Sequence, residues 1–158
     1  MKKVLFIAST GGHLSELMQL KSLFEYYDYH IITEKTKSTI SLKNKYLNRI
    51  NFLVYGTKDK ILVYPFKFFY NIILSLIYLF KVKPEYIITT GTHTAVPICY
   101  WAKIFKRKTK IIFIETFANS QTKTLSGRMV YKIADLFIVQ WESMQELYPK
   151  AILGGWIY

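Results

Sequence analysis

The chain has 158 residues, enough for one domain and too few for two full ones. Lys plus Arg number 22 against 10 Asp plus Glu, a formal net charge of +12, yet 51% of residues are hydrophobic and 17% aromatic. So apolar a chain is not disordered, and so basic a one seeks an anionic partner: nucleic acid, a membrane surface or a phosphorylated substrate.

Val4–Ala8 is a short apolar run stopped by Ser9-Thr10-Gly11-Gly12, which predicts a buried strand and a tight loop. A helix follows over His13–Tyr27, with Leu14, Leu17, Leu20, Phe24 and Tyr27 along one stripe. His30–Thr33 and Phe52–Tyr55 read as strands, and the basic stretch Lys35–Arg49 between them as a loop with one short helix. Then come a helix over Pro65–Lys81, a strand over Tyr86–Thr90 and a helix over Ala95–Phe105. Lys110–Glu115 and Leu136–Gln140 are strands around a helix at Leu125–Ala134; a short helix at Ser143–Tyr148 and a strand at Ala151–Leu153 end the series. Strands of about five residues alternating with longer helices define an α/β domain over 1–158, a Rossmann-like doubly wound parallel sheet of about seven strands. The lone Cys99 excludes a disulfide framework and reads as a small buried hydrophobe. Lys2 and Lys3 precede too short an apolar run for a signal peptide.

In such sheets ligands bind beyond the carboxyl ends of the strands. Three candidate loops lie there. Thr10-Gly11-Gly12-His13 lets the backbone approach a ligand at a helix N-terminus, where an anion is favoured; His13 faces either the cleft or solvent. Thr90-Gly91-Thr92-His93 is a second such junction, rich in hydroxyls, or an ordinary capping turn. Glu115-Thr116-Phe117-Ala118-Asn119 puts a carboxylate at the end of a buried strand, where it is either a working acid–base group or the cap of a neighbouring helix. Neither a dinucleotide fingerprint nor a P-loop is present, and no metal or other cofactor is expected.

The helix at Pro65–Lys81 has one narrow polar stripe, Lys67, Asn71 and Ser75, and is otherwise apolar. Packing on a sheet needs one face, so Phe69, Ile73, Leu76, Ile77 and Phe80 are candidates to meet lipid or a partner, unless the domain buries the helix on several sides. Its thirteen-residue core Phe68–Phe80 is too short to span a bilayer. Lys58, Lys60, Lys67, Lys81 and Lys83 flank it, as anionic headgroups would favour. Trp101, beside Lys103 and Lys106, suits the same interface. At the other end of the chain Trp156, Ile157 and Tyr158 offer an apolar docking tail. The basic residues are spread from Lys2 to Lys150 without a nucleic-acid motif, so nucleic acid is set aside.

Taken in order, Gly11-Gly12-His13, Thr90-Gly91-Thr92, Glu115-Thr116-Phe117, Leu125-Ser126-Gly127-Arg128, the run Ala134–Glu142 containing Trp141, and Tyr148-Pro149-Lys150-Ala151 resemble the PssD-like capsule and exopolysaccharide proteins. These are bacterial relatives of the membrane-recruiting subunit of the two-part UDP-GlcNAc transferase of dolichol-linked oligosaccharide synthesis. The resemblance implies the N-terminal, acceptor-binding half of a GT-B glycosyltransferase, dependent on a separate donor-binding subunit docked at Trp141 and the tail. More distantly, the pattern is similar to the acceptor domain of the GlcNAc transferase that makes lipid II. By that likeness Gly11, Gly12, His13 and Glu115 line the acceptor cleft, with His13 or Glu115 as base. Thr10, Thr90, Gly91, Thr92, His93, Thr116 and Asn119 would then hold a polyprenyl-diphosphate-linked sugar. The eukaryotic relatives carry an N-terminal membrane anchor that is not seen here, so attachment to the cytoplasmic face of a bacterial membrane is expected to be peripheral, through the Pro65–Lys81 helix and the basic surface or through the partner. The alternative is a non-catalytic module that only recruits or enhances the partner transferase.

Overall fold

The first strand, β1 (Lys3–Ile7), is apolar on both sides, and both sides are buried. Leu5 and Ile7 enter one core cluster, while Val4, Phe6 and Ala8 enter the other. A strand so placed is central, with a layer on each face. In the computed structural model, which describes residues 1–56 and 63–157, β1 pairs with β2 (Asp28–Lys35) and β4 (Tyr86–Thr89). The sheet continues through β3 (Ile50–Val54) on one side and β5 (Lys110–Ile114), β6 (Leu136–Val139) and β7 (Ile152–Leu153) on the other. Its seven strands run in the order β3-β2-β1-β4-β5-β6-β7, and every pairing is parallel. The doubly wound architecture read from the sequence is the one observed.

On one face lie α1 (Gly12–Gln19) and α2 (Leu42–Tyr46), burying Leu17 and Tyr46. On the other lie α3 (Tyr64–Val82), α4 (Val96–Phe105), α5 (Leu125–Val130) and α6 (Glu142–Leu147), contributing Leu79, Ile98, Val130 and Met144. Cys99 is fully buried on α4, and burial pushes its thiol up to about 12. α1 is shorter than its apolar stripe, because Leu20–Glu25 tightens into a 3₁₀ turn. That turn brings Phe24 onto Tyr29, centroids 4.1 Å apart, and edge-on to Phe6 at 4.9 Å.

The helix α3 is packed inside out. Its polar stripe faces inward, with Asn71 only 3% exposed and Ser75 0%, while Phe66 is 77% and Ile77 52% exposed. For Asn71 the reason lies in the sheet edge, whereas the Ser75 hydroxyl is buried without a hydrogen-bond partner among the described residues. β3 is an edge strand, and an edge presents unpaired N–H and C=O groups. The Asn71 amide answers both at Val54: it accepts from the backbone N–H at 2.8 Å and donates to the C=O at 2.8 Å. The Tyr78 hydroxyl donates to Phe52 O at 3.0 Å, and the Lys67 ammonium to Tyr55 O at 3.2 Å. An amide, a phenol and an ammonium thus close the edge; Leu79 still reaches the core, while Phe66, Phe69, Ile73, Ile77 and Phe80 are left outside.

Three expectations about this region change. α3 has 19 residues and is long and apolar enough to cross a membrane by length and composition, where its apolar core alone looked too short. Trp101 is half-buried rather than displayed, because its indole N–H donates to Ile72 O at 2.9 Å, tying α4 to α3. Leu76 is half-buried, whereas Phe69, Ile73, Ile77 and Phe80 are exposed as expected. Lys58, Lys60 and Tyr158 lie outside the described residues.

Candidate functional site

β1 and β4 are neighbours whose connections leave toward opposite faces, and this topological switch point is where a crevice opens in such sheets. Two of the predicted loops meet there. Gly11 (φ 80°) and Gly91 (φ 98°) take backbone conformations that residues with a Cβ rarely adopt, which lets each chain turn sharply off its strand. The loops are laced by a reciprocal pair: His13 Nδ1 lies 2.7 Å from Thr90 O, and the Thr90 hydroxyl donates to His13 O at 2.7 Å. A carbonyl can only accept, so Nδ1 carries the proton. In the neutral ring Nε2 therefore holds the lone pair.

The third loop is fastened to the first by a residue outside all three motifs. Glu16, one helical turn after His13, accepts from the Thr116 hydroxyl at 2.8 Å and the Phe117 N–H at 3.0 Å, both through Oε1. Its Oε2 is 3.9 Å from His13 Nδ1. The i, i+3 spacing from His13 was the available signal. A second missed carboxylate is Glu34, at the end of β2 and 2% exposed. It accepts from the Thr10 N–H at 3.2 Å and stands 4.0 Å from His93 Nε2. Burial pushes its carboxyl above the ordinary range, partly offset by the amides of Thr10 and Gly56. Its signature in the sequence is that of Glu115, a carboxylate at the end of an apolar strand.

Thr10, His13, Thr92 and His93 are half-buried on this rim, Thr90 and Thr116 are buried in it, and Gly11 and Gly12 are exposed. Asn119 does not join them. Its side-chain oxygen accepts from the Thr122 N–H and hydroxyl at 3.2 and 3.0 Å, folding its own loop.

Glu115 departs furthest from expectation. It is 1% exposed and lies beneath the start of α5. The Thr124 hydroxyl sits 2.9 and 3.0 Å from its two oxygens, and Tyr148 donates to it at 3.1 Å. Thr124 is itself the N-cap of α5, accepting from Gly127 N at 3.0 Å. A Cβ at Gly127 would collide with the carboxylate and the Tyr148 hydroxyl, so the glycine is what lets the helix sit so close. Burial raises the Glu115 pKa, and the bonds from Thr124, Thr116 and Tyr148 with the nearby His13 offset part of that. Glu115 thus holds the N-cap residue of α5 from beneath, buried below the rim.

The docking residues also separate. Trp141 is half-buried, its indole N–H donating to Phe117 O at 2.8 Å. Ile157 packs back onto the α1-side core, while Trp156 stands exposed, edge-on to Phe117 at 5.4 Å.

Solved structures of two kinds are among those that share this fold. Acinetobacter baumannii MurG matches with a TM-score of 0.69 at 16% identity, covering 90% of this chain and 43% of that one. The UDP-N-acetylglucosamine 2-epimerase from Rickettsia bellii matches with a TM-score of 0.69 at 17% identity, covering 94% and 41%. The chain is thus equivalent to about two-fifths of each of those larger chains and shares the fold of that part. The family follows from the sequence itself. Residues 4–157 match the model described as "Oligosaccharide biosynthesis protein Alg14 like", and the chain belongs to that family. Similar relatives include the UDP-N-acetylglucosamine transferase subunit ALG14 of Mus musculus, 27% identical over 97% of this chain and 82% of the relative. The subunit of the same name in Rattus norvegicus is 29% identical over 96% and 81%.

Proposed function

We propose that this chain is the acceptor half of a two-subunit glycosyltransferase acting on a polyprenyl-diphosphate-linked sugar. A separate donor-binding subunit would bring the UDP-sugar, and the product would be a capsular or exopolysaccharide repeat unit made at the cytoplasmic face of a bacterial membrane. The observation that carries this reading is the His13–Thr90 clasp at the switch point. It gives a family member of single-domain size an oriented imidazole on a strand-end rim. With Nδ1–H held by the Thr90 carbonyl, Nε2 would take the proton of the acceptor hydroxyl as that oxygen attacks the anomeric carbon, and UDP would leave with the bond's electron pair. The glycine-turned loops at Gly11 and Gly91 would admit the diphosphate close to the backbone. Glu16 and Glu34 would hold the rim's loops in register, and Glu115 would anchor α5 beneath it. Trp156 and the exposed β7 edge are the natural seam for the donor subunit.

The membrane part of the proposal rests on the outward apolar side of α3, continued by Ile104 and Phe105 of α4. An interfacial helix lies in the bilayer plane with such a side buried among the acyl chains. The clip of Asn71 onto Val54 holds α3 to the sheet, which favours this placement over a span. The rim is close by, since the Tyr64 and Phe68 rings at the start of α3 lie 5.8 and 6.1 Å from the ring of His93.

Sugar transfer to a lipid-linked acceptor should require both subunits. His13→Ala in the pair should lower the rate by about 10²–10⁴-fold without loss of assembly. Full transfer by this chain alone defeats the two-subunit reading. An unchanged rate in His13→Ala favours recruitment without catalysis, a role in which the clasp only holds the loops together.

A further inference from the structure

At the far end of the sheet from the rim, a groove of about 730 Å³ opens between the last turns of α3 and α4 and the strands that follow them. Its lining carries five cations, Lys83, Lys106, Arg107, Lys108 and Lys110, against one carboxylate, Glu85. Glu85 accepts from the Lys3 N–H at 3.2 Å, and Lys110 pairs with Asp135 at 3.0 Å. Among the described residues no carboxylate pairs with Lys83, Arg107 or Lys108. Lys83 follows α3 in the left-handed conformation, φ 51° and ψ 57°, a position where glycine is the usual residue. A lysine is held there despite the strain of its Cβ.

The groove is continuous with the apolar side of α3 and α4. Ile104 and Phe105 belong both to its lining and to the exposed apolar surface. The Lys106 ammonium lies over the Phe80 ring, 5.0 Å from its centroid, where the two surfaces join. Cations gathered at the border of an exposed apolar face match a phospholipid, whose phosphate sits at the border of its acyl chains. The acceptor's diphosphate is a poor match, because it would have to reach the rim at the other end of a 19-residue helix, about 28 Å away.

We infer that this groove seats the phosphate headgroup of an anionic phospholipid and fixes the C-terminal end of α3 at the bilayer surface. The inference rests on the reading that the outer side of α3 meets lipid. With one end seated, the helix lies flat and its other end brings the rim to the membrane.

The test uses the full chain and vesicles of phosphatidylcholine with or without phosphatidylglycerol. A variant combining Lys83→Gly, Arg107→Gln and Lys108→Gln removes three charges while keeping a residue at 83 that tolerates its backbone. Its affinity for the anionic vesicles should fall about a hundredfold, near fivefold per charge, with little change on neutral ones. Lys21→Gln, Lys43→Gln and Lys45→Gln remove the same charge from exposed positions on the α1–α2 side, and together should lower affinity less than tenfold. Equal losses from the two triple variants overturn the groove while leaving the apolar contact standing. Absence of wild-type binding to any vesicle overturns both. Inorganic phosphate is the third arm: saturation of the groove without lipid below about 1 mM would make it a free-phosphate site and overturn the inference.

Discussion

α1 and α3 pack against the same sheet and do so in opposite senses. α1 buries Leu14 and Leu17 and turns Ser15 and Gln19 outward, as an amphipathic helix over a sheet face should. α3 buries Asn71 and Ser75 and turns Phe66, Ile73 and Ile77 outward. The difference lies in what each helix covers. A sheet face offers side chains and rewards apolar contact, whereas a sheet edge offers backbone polar groups and rewards hydrogen bonds. For α3 the edge sets where Asn71 points, and although Leu79 still reaches the core, Phe66, Phe69, Ile73, Ile77 and Phe80 are left outside it. They make the exposed apolar surface on which the proposed membrane contact rests.

The sharpest test exchanges the two kinds of anchor. Leu17→Ala on α1 should cost about 3 kcal/mol, the ordinary price of a cavity at a fully buried leucine. Asn71→Leu makes α3 more apolar and should still destabilise by about 2 kcal/mol, because the half-buried Val54 N–H and C=O lose their partners. Urea denaturation of both variants measures this. A neutral or stabilising Asn71→Leu would mean that packing, and not the edge, sets the orientation of α3. Next in size is the outer side. Ile73→Gln with Ile77→Gln should leave stability within about 0.5 kcal/mol, since both side chains are exposed. The same pair should lower vesicle binding about tenfold. A large loss of stability with unchanged binding would return this surface to the core.

What could be read in advance follows the same division. The order of elements was legible because each is announced locally, by an apolar run, a glycine or a change of period. The loops at Gly11–His13 and Thr90–Thr92 were legible because strand ends are where such sheets bind ligands, and those two do converge. The stripe Lys67, Asn71, Ser75 was visible, but its direction was not. Which face of a helix turns inward depends on whether a sheet face or an edge lies beneath it, and that is set by strand order. Glu16 and Glu34 were missed for a related reason. Each works across the fold, on Phe117 and Thr10, and their local marks, a carboxylate one turn after His13 and one at the end of an apolar strand, do not name the distant partner. Glu115 was noticed for the right feature, a carboxylate on a buried strand, but its cap lies nine residues on at Thr124, in a loop whose path depends on Gly127.

The smallest expected effect concerns charge in those buried positions, where Asn71 closes its edge without ionising and Glu115 does its bridging with a titratable group. Glu115 and Glu34 have folded-state pKa values raised from 4.5 chiefly by burial. Across the window that opens near 4.5, the folded chain therefore holds protons that the unfolded chain has released. Stability from these two groups is greatest below the window and declines as pH rises through it. Asp135 acts in the opposite direction. Burial alone would raise it, but Lys103, the Ile111 N–H and Lys110 bring its carboxyl down from 3.8 to about 2. Its contribution is complete above 3.8 and is lost as pH falls toward about 2. Urea midpoints of wild type followed across acid pH should thus bend on both sides of about pH 4. Glu115→Gln should flatten the decline above 4.5 and leave the acid limb intact, whereas Asp135→Asn should do the reverse. If Glu115→Gln instead weakens the protein evenly at every pH, the Thr124 and Tyr148 bonds and not the desolvated charge dominate at that site, and α5 is held much as Asn71 holds α3.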